Sequence, residues 1–96
     1  GDRGQLAERF VVHALELMRP KDGLVAMLLP NDFDSAKTRR YLFKNHPAFY
    51  KKLVLTTRPR WFEKKPGDSG PRKNFSWFIW DWRNAKEGLP PKIDWT

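Results

Sequence analysis

Residues 74–82 read NFSWFIWDW, three tryptophans and two phenylalanines in nine positions. At the two-residue period of a strand, Phe75, Trp77, Ile79 and Asp81 point to one side. Ser76, Phe78, Trp80 and Trp82 point to the other. Both sides are mainly apolar, whereas a half-solvated strand alternates apolar with polar residues. Aromatic side chains also favour a pleated backbone over a helix. The stretch therefore predicts a central strand packed on both faces. That reading removes it as a one-sided aromatic platform for nucleic-acid bases, and obliges the rest of the chain to cover it.

Only 96 residues are available for the task, enough for one small domain or a piece of a larger one. A chain of this size buries about 60–65% of the surface it exposes when unfolded, so its stability margin is thin. An apolar share of 40%, with 15% aromatic residues, argues against disorder. Cysteine is absent, which excludes a disulfide framework and a thiolate metal site. The longest apolar run, Leu24 to Leu29, is far too short to span a membrane, and no signal-peptide pattern opens the chain. A cytoplasmic protein without a membrane partner is the expectation. The chain begins at Gly1, already within a helical pattern, and is expected to be a single partial domain over residues 1–96 of something longer.

Leu6, Phe10, Val11, Ala14, Leu15, Leu17 and Met18 recur at helical spacing within Gln5–Met18. Arg19-Pro20-Lys21-Asp22-Gly23 then turns the chain. Leu24–Leu29 is a continuous apolar run that predicts an inner parallel strand. Asp34 or Ser35 is placed to cap a second helix running to about Asn45, where Pro47 prevents continuation. Phe49–Thr57 alternates loosely as a strand, and Arg58-Pro59 ends it. The tail from Asn84 reads as irregular, with a short extended end at Ile93–Trp95. The expected fold is α/β: a three-stranded mixed sheet with two helices, its first two strands parallel and its last antiparallel.

Charge is unevenly distributed. The net value is +8, of which residues 1–49 contribute +2 and residues 50–96 contribute +6. Lys51 to Lys73 alone carries Lys51, Lys52, Arg58, Arg60, Lys64, Lys65, Arg72 and Lys73 against Glu63 and Asp68. Such a segment suits a polyanion, and equally suits a solvated lysine-rich loop.

The helix ending HALELM followed by GLVAMLLP, then VLTTRPRWF, then FSWFIWDW resembles the C-terminal half of an S-adenosylmethionine-dependent methyltransferase domain. The likeness is to DNA adenine methyltransferases of phage and prophage type. It implies a Rossmann-like sheet in which the last strand inserts antiparallel between its two predecessors. The family's Gly-rich cofactor turn, its acidic partner and its [Asn/Asp]-Pro-Pro-[Tyr/Phe] tetrad have no counterpart here. Asn45-His46-Pro47-Ala48-Phe49 has one proline and ends a helix; Leu89-Pro90-Pro91-Lys92 lacks the flanking residues. The resemblance thus implies a fragment without catalytic, cofactor-binding or metal residues. S-adenosylmethionine would belong to the parent protein, and the isolated fragment would be inactive.

What the resemblance leaves to this chain is DNA contact. An enzyme acting on a base stacks the extruded base against aromatic side chains. Trp61 and Phe62 match the family's stacking position, with Arg58, Arg60, Lys64, Lys65, Arg72 and Lys73 as phosphate contacts. A small non-enzymatic nucleic-acid-binding module and a plain structural subdomain, with Trp61 tucked under its loop, remain as alternatives. A final expectation concerns Leu24–Leu29, an apolar strand without the charges and prolines that protect edges. If its neighbour is missing, it should pair in a two-fold homodimer or be covered by the Gln5–Met18 helix.

Overall fold

The computed structural model describes residues 2–56 and 74–96. Helix α1 (Asp2–Met18) leads through a 3-10 turn (Arg19–Lys21) into β1 (Leu24–Pro30). Two 3-10 segments, Phe33–Ser35 and Lys37–Leu42, precede β2 (Phe49–Val54). Strand β3 (Phe75–Asp81) runs directly into α2 (Trp82–Glu87), and β4 (Lys92–Trp95) closes the chain. The sheet order is β1-β3-β2-β4.

Strand β3 is antiparallel to both β1 and β2, so β1 and β2 run parallel with β3 between them. This is the arrangement expected of the first three strands. Leu28 faces Trp77 on one side of β3, and Leu53 faces it on the other. The bonds Trp82 N–H to Gly23 O (3.0 Å) and Asn31 N–H to Asn74 O (2.8 Å) bracket the β1–β3 ladder. Hydrogen-bonded pairs alternate along an antiparallel ladder, so Val25, Met27 and Leu29 bond to β3 while Leu24, Ala26 and Leu28 turn their backbone groups outward.

Four expectations are corrected. The sheet has four strands, not three, because β4 pairs parallel with β2 along Lys51–Val54. The tail is ordered by capping: the Asp81 carboxylate accepts from Arg83 N–H at the start of α2, and Gly88 ends it at φ 69°. That left-handed conformation favours glycine. The second helix expected from Asp34 or Ser35 to Asn45 is replaced by the two 3-10 segments, with Ala36 extended between them. Neither proposed cap serves as one, since Asp34 is held by Lys52 and the Ser35 hydroxyl donates to Asp32 O. The break at Ala36 lets Phe33, Leu42 and Phe43 all reach the core.

The fourth correction concerns β3 itself. Ser76, Phe78 and Trp80 are fully buried on the side covered by α1 and the 3-10 segments. On the opposite side Phe75 and Ile79 are half-buried and Trp77 is 37% exposed. Packing on both faces was expected; one face is open.

On the covered side Val11 and Leu15 of α1 meet Val25 and Leu29 of β1, and Phe33, Phe43, Phe49, Phe78 and Trp80 form an aromatic cluster. Phe43 is central, with ring centroids 5.0 Å from Phe49 and 5.5 Å from both Phe78 and Trp80. Trp80 Nε1–H donates to Leu42 O at 2.7 Å, so the indole both fills the core and ties the 3-10 layer to the sheet. Trp80→Ala should cost about 3–5 kcal/mol in denaturant unfolding, from the lost burial and the cavity left behind. Trp80→Phe, which also orphans the Leu42 carbonyl, should cost about 1–3 kcal/mol. Trp77→Ala on the open face should cost clearly less than Trp80→Ala, and equal losses would contradict the one-sided core.

Candidate nucleic-acid interface

Strands β1, β2 and β4 are mutually parallel, so their carboxyl ends share one edge of the sheet. The chain leaves β2 at this edge after Thr56 and re-enters it at Asn74. Arg58, Arg60, Trp61, Phe62, Lys64, Lys65, Arg72 and Lys73 therefore belong to a segment rooted here, but they lie outside the described residues. In open α/β sheets, ligands characteristically bind outside the carboxyl ends of the strands.

Both roots of the segment are tied down. Asn74 O accepts from Asn31 N–H, and Leu55 N–H donates to Phe75 O at 3.2 Å. Thr56 N–H donates to Thr96 Oγ1 at 2.9 Å, the Thr56 hydroxyl donates to Thr96 O, and Thr96 N–H donates to Val54 O at 3.0 Å. The end of β4 thus clasps the end of β2. This role for the chain's last residue carries no local signal in the sequence.

A polar network lies on the core side of the sheet near Asn31. Lys52 Nζ donates to Asn31 O at 2.9 Å and to both Asp34 carboxylate oxygens at 3.1 Å, and sits 5.3 Å from the Phe78 ring centroid. The buried Ser76 hydroxyl donates to Asn31 Oδ1. Lys52 is thereby matched by a carboxylate and carbonyl inside the fold. Charge counting alone had grouped it with the other cations of residues 51–73.

Arg39 is engaged in the same way: its Nε donates to Glu8 at 3.1 Å, its Nη1 donates to Phe33 O at 3.2 Å, and its guanidinium stacks 4.1 Å from the Phe33 ring. Tyr41 donates to Glu8 at 2.6 Å; burial, reinforced by that carboxylate, pushes its phenol up to about 12. Lys37, Arg40 and Lys44 stay exposed, and none of them enters an ion pair among the described residues.

The two proline-containing stretches have structural duties. His46 Nδ1 accepts from Ala48 N–H at 3.1 Å, and its ring lies 5.1 Å from Trp82 at the rim of a cavity of about 200 Å³. Leu89 O accepts from Asn84 Nδ2 at 3.1 Å, and Leu89 and Pro90 help line a cleft of about 450 Å³ at the opposite edge of the sheet. In that cleft Asp81 is occupied by Arg83, through contacts of 3.3 Å. Among the described residues no group of three or more His, Asp or Glu is placed to hold a metal, and no helix is long and apolar enough to cross a membrane. The turn after β1, Pro30-Asn31-Asp32, contains no glycine.

Comparison with protein-family models, with curated proteins and with solved structures finds no match.

Partial burial, and secondarily the Arg19 charge, hold the His46 imidazole below its ordinary value of 6.5. The unfolded chain therefore binds a proton at His46 that the native chain does not, once pH falls below about 6.5. Its contribution to stability is complete above that pH and is lost on acidification toward the lowered native value. Denaturation midpoints measured between about pH 7 and pH 5 should fall more for the native sequence than for His46→Gln. Parallel curves would contradict the burial of His46.

Proposed function

We propose that this chain is the C-terminal part of a Rossmann-like, S-adenosylmethionine-dependent DNA adenine methyltransferase of phage or prophage type, acting in the cytoplasm. Its share of the work is contact with DNA and with the extruded adenine. Cofactor binding and chemistry belong to the remainder of the parent protein. The observation that carries the reading is strand order: an antiparallel β3 between parallel β1 and β2, as the resemblance implies, with the basic connection of residues 57–73 rooted at the carboxyl edge. Strand β4 has no counterpart in that resemblance.

On this reading Arg58, Arg60, Lys64, Lys65, Arg72 and Lys73 hold phosphates, while Trp61 or Phe62 stacks on the target base. The alternative, a small non-enzymatic nucleic-acid-binding module, rests on the same charge and differs in its response to the base. An adenine-specific site distinguishes an extruded adenine from an extruded cytosine; a general binder does not.

DNA binding by the 96-residue chain should be salt-sensitive. If about four charges meet phosphates, log K should fall against log salt with a slope near −3 to −4. Neutralising Arg58, Arg60, Lys64 and Lys65 together should flatten the slope, and an unchanged slope would move the surface elsewhere. Trp61→Ala should weaken binding to extruded adenine by about 1–3 kcal/mol, and binding to intact duplex by less. Equal losses on adenine, cytosine and duplex would remove the target-base role.

A further inference from the structure

The cavity of about 200 Å³ beside His46 lies where α1, the Arg19–Lys21 turn, the second 3-10 segment and α2 meet. Arg19 precedes β1, His46 precedes β2 and Trp82 follows β3. The cavity therefore stands at the end of the sheet away from Thr56 and Asn74, where residues 57–73 are rooted. Buried Leu15 and Leu42 and half-buried Val12 give it an apolar base. Trp82, His46 and Tyr41 wall it with aromatic rings. Exposed Arg19 and Glu16 stand at its mouth, so it opens to solvent.

Each aromatic wall is fixed by a bond of its own. Trp82 Nε1–H donates to Leu15 O at 2.9 Å, and the Tyr41 hydroxyl donates to Glu8 at 2.6 Å. His46 Nδ1 accepts from Ala48 N–H at 3.1 Å, and its ring meets the indole edge-on at an interplanar angle of 61°. Because Nδ1 is an acceptor, the neutral imidazole carries its proton on Nε2. No described residue accepts from that Nε2–H, and no unpartnered side-chain nitrogen is sealed from solvent. Arg19 is a second free donor. Its guanidinium lies over the indole, 5.3 Å from the ring centroid, and enters no ion pair among the described residues. Its charge is near enough to His46 to lower the proton affinity of the imidazole, so the two donors converge.

The geometry points to a binding site for a small aromatic carboxylate, with one planar ring in the cavity and the carboxylate between Arg19 and His46 Nε2–H. An apolar cavity of about 150 Å³ is enough to hold benzene. The space here takes one ring, with the carboxylate left at the open side. The ring is buried against Val12, Leu15 and Leu42, and meets the indole and imidazole in the angled contacts that aromatic pairs favour. The carboxylate gains charge-assisted hydrogen bonds that a neutral amide does not match. Glu16 is the one acidic residue lining the cavity, while Glu8 is taken up by Tyr41 and Arg39. With one unpaired cation and one carboxylate at its mouth, the site suits a monoanion and disfavours a ligand with a second negative charge.

Benzoate titrated into the 96-residue chain at neutral pH, followed by NMR, tests the site. The His46 ring and the Trp82 indole N–H should shift saturably, with a dissociation constant on the order of 0.1–1 mM for a ligand this small. Acetate lacks the ring and benzamide lacks the charge, so each should bind at least about tenfold more weakly. Arg19→Gln, at an exposed position, should weaken benzoate at least about fivefold and benzamide less. Glu16→Gln should tighten benzoate. Both variants should keep the native circular dichroism spectrum. Neutralising Arg58, Arg60, Lys64 and Lys65 should leave benzoate binding unchanged, which separates this site from the DNA surface. Absence of shifts at about 10 mM benzoate overturns the site. So does acetate that shifts the same resonances equally, since that is only an anion drawn to a basic chain. An affinity for benzoate that Arg19→Gln leaves unchanged overturns it as well.

Discussion

The fold depends on β3 having a partner along each edge. Strands β1 and β2 are not paired with each other, and β4 joins only β2, so Phe75–Asp81 alone links β1 to the β2–β4 pair in the sheet. The same strand inserts Phe78 and Trp80 into the core and bonds the 3-10 layer through the Trp80 indole. Among the described residues no second element duplicates this function. The concentration of aromatic residues at 75–82 is the sequence counterpart of that central position.

The two sides of the sheet are unequal. Helix α1, the aromatic cluster and the Lys52–Asp34–Asn31–Ser76 network cover one. The other presents Leu24, Ala26, Trp77 and the half-buried Leu28, Ile79 and Leu53. Burial of Lys52 on the covered side is tolerable because its ammonium meets a carboxylate, a carbonyl and an aromatic face together. The arrangement also fixes the position of Asn31, whose N–H receives the backbone returning from residues 57–73. A packing device on the core side thus holds the base of the basic segment on which the functional proposal rests.

Much of this was legible from residue pattern. The apolar period of α1, the continuous LVAMLL run, the loose alternation of Phe49–Thr57 and the aromatic stretch were sufficient for α1 and three strands along the chain, while the place of β3 between the other two was implied only by the family resemblance. What pattern reading missed was decided by contacts distant in sequence. Asp34 looked like a cap, but Lys52, eighteen residues on, draws it away, and the helix it would have started breaks into 3-10 turns. The tail looked irregular because Gly88, Pro90 and Pro91 obscure a short capped helix; its extended end at Ile93–Trp95 was expected, but not its pairing with β2. The two-sided apolar pattern of β3 implied a second covering layer, yet Trp77 is left half in solvent. For the candidate site, residues 58–73 were legible only as charge and aromatic content, while the clasp between Thr56 and Thr96 follows from tertiary pairing alone.

Native-state hydrogen exchange resolved by residue tests the central claim most directly. Amides of Ser76, Phe78 and Trp80 bond toward β1 and those of Trp77, Ile79 and Asp81 toward β2, so all six should exchange only through global unfolding. They should be the slowest in the chain, with β4 amides opening at lower free energy. If the β3 amides exchange as fast as those of β4, or if one register of β3 is protected and the other is not, β3 is not the paired centre of the sheet and the account fails.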